Sequence, residues 1–118
     1  MSTAKFNQWL NSDGTENYKC RAWVNFNGTG TIAIKAAGNV SSVVDTAVGD
    51  YTINFTNPLL DANYAVTITA DVGGSANAVI TMTRDDVTPR TTSSVKITIR
   101  NYAGTAVDST AISVLVVR

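Results

Sequence analysis

From residue 20 onward the chain alternates apolar and polar residues in short runs broken by turn residues. That period of two belongs to strands with one buried face. Over 20–26, Ala22, Val24 and Phe26 point one way and Arg21, Trp23 and Asn25 the other. Asn27-Gly28 follows, a pair that tolerates positive φ, and Gly30 closes the loop. The run 31–36 returns with Ile32 and Ile34 inward, which predicts a hairpin. Gly38-Asn39 breaks it, and 40–44 is a weaker strand of ambiguous phase. Gly49-Asp50 then turns the chain into 51–56, where Tyr51, Ile53 and Phe55 alternate with Thr52, Asn54 and Thr56.

Asn57-Pro58 and Asp61 form a loop, because proline lacks a ladder donor and restricts the residue before it. The longest clean alternation, 64–72, sets Tyr64, Val66, Ile68, Ala70 and Val72 on one face. Gly73-Gly74 ends it. A run over 78–84 alternates through Ile80 and Met82, and a polar loop spans 85–94. Val95, Ile97 and Ile99 define the next strand, 103–108 turns, and 110–117 closes the domain. Eight such strands predict an all-β domain over 19–118. The expected architecture is an antiparallel β-sandwich, jelly-roll or immunoglobulin-like, with a small barrel as the alternative.

Two places depart from half-burial. In the last run Ile112, Val114 and Val116 face one way, yet Leu115 and Val117 make the opposite face apolar too. Trp23 likewise shares a face with Arg21 and Asn25. Such a face is either capped by the domain's own loops or buried against a neighbouring chain. The second reading makes Trp23, Leu115 and Val117 an oligomer seam. Residues 1–18 form an arm in which Phe6, Trp9 and Leu10 fall at i, i+3 and i+4, one short helical stripe. A stripe that short docks on its own domain or on a partner, as an attachment segment.

Composition agrees with strands. Thr, Val, Ala and Ile abound, and Glu16 is the sole glutamate among 118 residues. Nine basic residues cancel nine acidic ones, so no charge footprint for nucleic acid or an acidic membrane surface is present. The longest apolar run, 114–117, is far below the ~20 residues of a membrane span. The opening residues lack a secretory pattern, so the chain is expected to be made in the cytoplasm.

Histidine is absent and Cys20 is the only cysteine. Triads, imidazole ligands, thiolate clusters and internal disulfides are thereby excluded. Gly28-Thr29-Gly30 with Ala33 matches a dinucleotide fingerprint in letters, but the run continues as strand and supplies no helix N-terminus. Ser93 and Lys96 match S-x-x-K, yet three steps along a strand point them to opposite faces. Asp85-Asp86 lacks the converging oxygens of a calcium loop, and no carboxylate pair suits glycoside hydrolysis. Three Asn-x-Thr/Ser triplets, at Asn27, Asn39 and Asn54, count only as composition without a signal peptide. The reading is therefore no enzyme, no cofactor and no metal.

The ordered wording of 20–32 (Cys-Arg-Ala-Trp-Val-Asn-Phe-Asn-Gly-Thr-Gly-Thr-Ile) resembles a module of tailed-bacteriophage tail fibre proteins, of the kind found in cyanophages. Residues 37–43, 49–56 and 61–66 extend the likeness, which is loose from there to 118. The resemblance implies a virion surface protein whose β-domain forms the distal, C-terminal part of a homotrimeric fibre. Its partners would be copies of itself, other virion proteins and host surface carbohydrate. A capsid, neck or baseplate decoration protein is the alternative, and a glycan hydrolase a remote third. For host contact, loops 73–77, 85–94 and 101–108 are the candidates, with Asp85, Asp86, Arg90 and Tyr102 the residues singled out. An aromatic face and a fork of donors suit sugar rings and hydroxyls.

Overall fold

A computed structural model describes residues 9–71 and 79–118. Eight antiparallel strands run in order: β1 Cys20–Asn27, β2 Ala33–Gly38, β3 Val40–Ala47, β4 Asp50–Phe55, β5 Ala65–Ala70, β6 Val79–Thr83, β7 Ser94–Asn101 and β8 Ile112–Val117. They make two four-stranded sheets, ordered β2-β1-β8-β5 and β3-β4-β7-β6. The all-β architecture predicted by the alternation is thus the one observed.

The strand order departs from an immunoglobulin domain, whose first, second, fourth and fifth strands share a sheet. Here β4 and β5 lie in opposite sheets. Neither sheet holds three strands consecutive in the chain. Among the described residues, within-sheet hairpins join β1–β2, β3–β4 and β6–β7, and the chain changes sheet between them.

The core is the inner face of both sheets. Ala22, Val24 and Phe26 of β1 meet Ile112, Val114 and Val116 of β8, against Tyr51, Ile53 and Phe55 of β4 and Val95, Ile97 and Ile99 of β7. Phe26 and Tyr51 pack edge to face with centroids 5.3 Å apart, as do Phe55 and Tyr64 at 5.7 Å. Central strands β1, β4 and β8 carry the alternation cleanly because sheet neighbours flank them on both sides and the opposing layer covers their inner face. On β7, by contrast, Thr98 is buried along with Ile97 and Ile99.

At the rim the pattern fails for a physical reason. Ile34 takes the inward phase, opposite Phe26, but stays exposed because β2 is an edge strand. On β6 the expected phase reverses. Met82 pairs with Thr98 and Ile80 with Arg100, so both point outward and are exposed, while Thr81 pairs with core Ile99. The predicted helical stripe in the arm is also corrected. Residues 9–17 form a small β-hairpin, with a bridge from Leu10 to Glu16 and bonds from Asn17 N to Trp9 O and Gly14 N to Asn11 O. Asp13 caps its turn by accepting from Thr15 N and Oγ1, which holds the carboxyl below its usual range. Phe6, Val72 and the loop 73–77 lie outside the described residues.

Candidate functional site

The two outer faces of the sandwich are chemically unlike. On the first sheet Trp23 of β1 stands in register with Leu115 of β8, which in turn faces Thr67 of β5. On its other side Trp23 pairs with Gly38 of β2, and the indole lies over that glycine, filling the space a side chain would take. Trp23 is 41% exposed and Leu115 43%. The next row runs Asn25, Ser113 and Thr69, with Ala36 beside Asn25. Val117 is half-buried between Cys20 and Ala65. Arg21 brings the one charge of β1 and is occupied at the end of the sheet: its Nε donates to Arg118 O at 3.0 Å and its Nη2 lies 3.9 Å from Glu16.

The second sheet presents Val44 of β3, Asp50, Thr52 and Asn54 of β4, Lys96 and Arg100 of β7, and Ile80 and Met82 of β6, while Thr98 of β7 is buried. Its outer face therefore mixes charge with exposed Val44, Ile80 and Met82, where the middle of the other is aromatic, aliphatic and hydroxylated. An uncharged, half-exposed aromatic–aliphatic row is cheap to desolvate, and short Thr and Ser side chains lose little rotamer freedom on contact.

The loop residues singled out from sequence are placed differently. Asp85 and Arg90 bind each other, with Nε at 3.0 and 3.1 Å from the two carboxylate oxygens and Nη2 at 2.5 Å from Oδ2. Arg90 Nη1 donates to Tyr64 O at 2.6 Å, and the guanidinium sits 5.1 Å from the Tyr64 ring centroid. Tyr64 Oη completes the latch, within 2.9 Å of Thr91 O and 3.0 Å of Ser94 O. Arg90 holds the Asp85 carboxyl below its usual range, and the aspartate raises the guanidinium in return. Asp86 lies 3.3 Å from Arg84 Nε. These residues fasten the loop. Tyr102 is exposed but follows the far end of β7, so an eight-residue strand separates it from Arg90. Arg90 and Tyr102, each singled out for carbohydrate contact, thus lie at opposite ends of β7.

In the arm, Trp9 and Leu10 are exposed, and Lys19 Nζ lies 4.7 Å over the Trp9 ring. Two sets of side-chain bonds are not visible in the alternation. Asn39, at φ 54°, carries the chain from one sheet to the other. Its Nδ2 donates to Arg21 O and Asn57 O, and its Oδ1 accepts from Asn57 N. The second is the pairing of Tyr51 with Asp108, 57 residues apart. Among the described residues no group of three or more metal-ligating side chains gathers, and no helix is long and apolar enough to cross a membrane.

No protein-family model matches the chain, and neither a curated protein nor a solved structure is significantly similar to it.

Proposed function

We propose that this chain is a virion structural protein of a tailed phage, a trimeric β-sandwich that contacts the host surface or another virion component. One observation carries the assembly half of the reading: the Trp23–Leu115 row is itself uncharged and exposed, with Arg21, the charge of β1 on that face, held at the end of the sheet, while the opposite face carries Asp50, Lys96 and Arg100. Surfaces of that kind are most stable when buried against protein. The viral half rests on the ordered wording of residues 20–66. Three copies would meet through the outer face of β1 and β8, with the arm residues Trp9 and Leu10 supplying attachment.

A decoration role without a receptor has its own support. Arg90 and Asp85 are consumed in fastening their loop, and Tyr102 lies at the other end of β7. Binding to host envelope fractions against binding to empty capsids separates the two. Retention on envelope supports the fibre tip, retention on capsids supports decoration, and retention on neither overturns the virion reading. Neutral net charge predicts that the binding is only weakly salt-dependent.

A further inference from the structure

The sandwich has four edge strands, and they are not treated alike. β2 carries Lys35 and a register shift against β1; β3 carries Asp45 and two register shifts against β4. Charges and bulges are the usual devices that stop an edge from pairing with another chain. The other two edges have neither. β5 reads Ala-Val-Thr-Ile-Thr-Ala and β6 reads Val-Ile-Thr-Met-Thr, without charge or proline. Both run in unbroken register with their inner neighbours, β8 and β7. Among the described residues, no strand pairs with their outer sides.

These two open edges lie on the same side of the molecule, in opposite sheets. Thr81 Oγ1 of β6 donates to the outward-pointing Ile68 O of β5 at 3.1 Å, tying the layers together and leaving that carbonyl its second lone pair for a neighbouring strand. We infer that this β5/β6 edge is a two-fold seam, on which β5 and β6 pair antiparallel with β5 and β6 of a second copy. A two-fold axis normal to a sheet makes any strand antiparallel to its own image, so an edge is complementary to itself. One axis normal to the sandwich satisfies both edges together. A foreign peptide strand could occupy only one of them, which is why a second copy is the occupant. The seam is separate from the Trp23 face and does not depend on the trimer. Being only six and five residues long, it is the weaker contact.

Hydrogen exchange on the whole chain at micromolar and at several-hundred-micromolar concentration tests this directly. Amides of β5 and β6 should slow as concentration rises, while those of β2 and β3 stay unchanged. Sedimentation should show the mass doubling over the same range. The double variant Ile80→Lys/Met82→Lys places charges on exposed β6 positions and should abolish both effects, whereas Ile34→Lys on β2 should not. The Trp23→Ser chain, which removes the trimer face, should still go from monomer to dimer. A trimer with no concentration dependence would leave the assembly reading intact and overturn the seam. A monomer that doubles would do the reverse. Slowing confined to β2 or β3 would also overturn it.

Discussion

Tyr51 and Asp108 meet across the end of the sandwich, with the phenolic oxygen 2.8 Å from Oδ1. The same hydroxyl lies 2.8 Å from Gly28 O, so one proton serves two acceptors. Asp108 Oδ1 also accepts from Gly49 N at 2.9 Å, which joins the β3–β4 turn, the β1–β2 loop and the approach to β8. Because Tyr51 is fully buried, Tyr51→Phe keeps the packing and takes the hydroxyl donor away from the carbonyl of buried Gly28, while exposed Asp108 keeps its bond from Gly49 N. We expect a loss of about 1–3 kcal/mol, read by denaturant unfolding with an unchanged slope.

The two buried tyrosines also set an alkaline limit. Burial pushes the Tyr51 hydroxyl well above its ordinary value, Asp108 adding to the effect, and burial pushes Tyr64 up to about 12. A raised folded value means that the unfolded chain loses its proton first. The Tyr64 contribution is therefore whole below pH 10 and is lost as pH rises through about 12, and that of Tyr51 is lost at still higher pH. Phenolate absorbance should show both hydroxyls ionising only as the fold is lost.

Gly49 and Gly38 should respond differently to alanine. At Gly49, φ is +71° and an added Cβ would lie 2.5 Å from Ile99 O and 2.9 Å from both Val107 N and Val107 O, all backbone. Gly49→Ala should cost about 3 kcal/mol, since no neighbour can give way. At Gly38 the obstacle is the Trp23 side chain, which is part-exposed and can swing aside. Gly38→Ala should cost about 1 kcal/mol or less and shift the tryptophan emission.

Arg90 acts as a planar fork, with Asp85 on one side and Tyr64 O on the other. Lysine keeps the charge but not the fork. Arg90→Lys should therefore lose about 1–2 kcal/mol and raise exchange in residues 85–94. A double-mutant cycle with Asp85→Asn should show coupling, since the pair shares several bonds.

Asp61 receives Arg118 Nε at 3.1 Å and Nη2 at 2.9 Å, and this holds its carboxyl down to about 2. A depressed folded value adds stability above the unfolded value of 3.8, lost as pH falls through about 2. Carboxyl NMR should find Asp61 still ionised at pH 3, and Arg118→Gln should raise its titration midpoint.

What could be read from the chain was what the centre of each sheet enforces. Tyr51, Ile53 and Phe55 alternate because β4 has neighbours on both sides, and the same holds for β8. At edges the rule loosens. Thr81 can face inward on β6, and Ile34 can stay exposed on β2, since the opposing layer covers rim strands only in part. In the arm, Asp13-Gly14 was the turn signal that should have outweighed the helical spacing of Trp9 and Leu10, because Gly14 adopts φ +88°. The Arg90 latch and the Tyr51–Asp108 bond join residues far apart in the chain, and no periodicity reports such pairs. Trp23 and Leu115 were legible as an oddity, but that they stand side by side required the register.

Sedimentation equilibrium at low micromolar concentration tests the assembly claim most directly, run on the intact chain and on Trp23→Ser. The account predicts three times the chain mass of 12.5 kDa for the former and the loss of that trimer for the latter, with the strand spectrum preserved. A 12.5 kDa species for the intact chain, with no change on substituting Trp23, would contradict it.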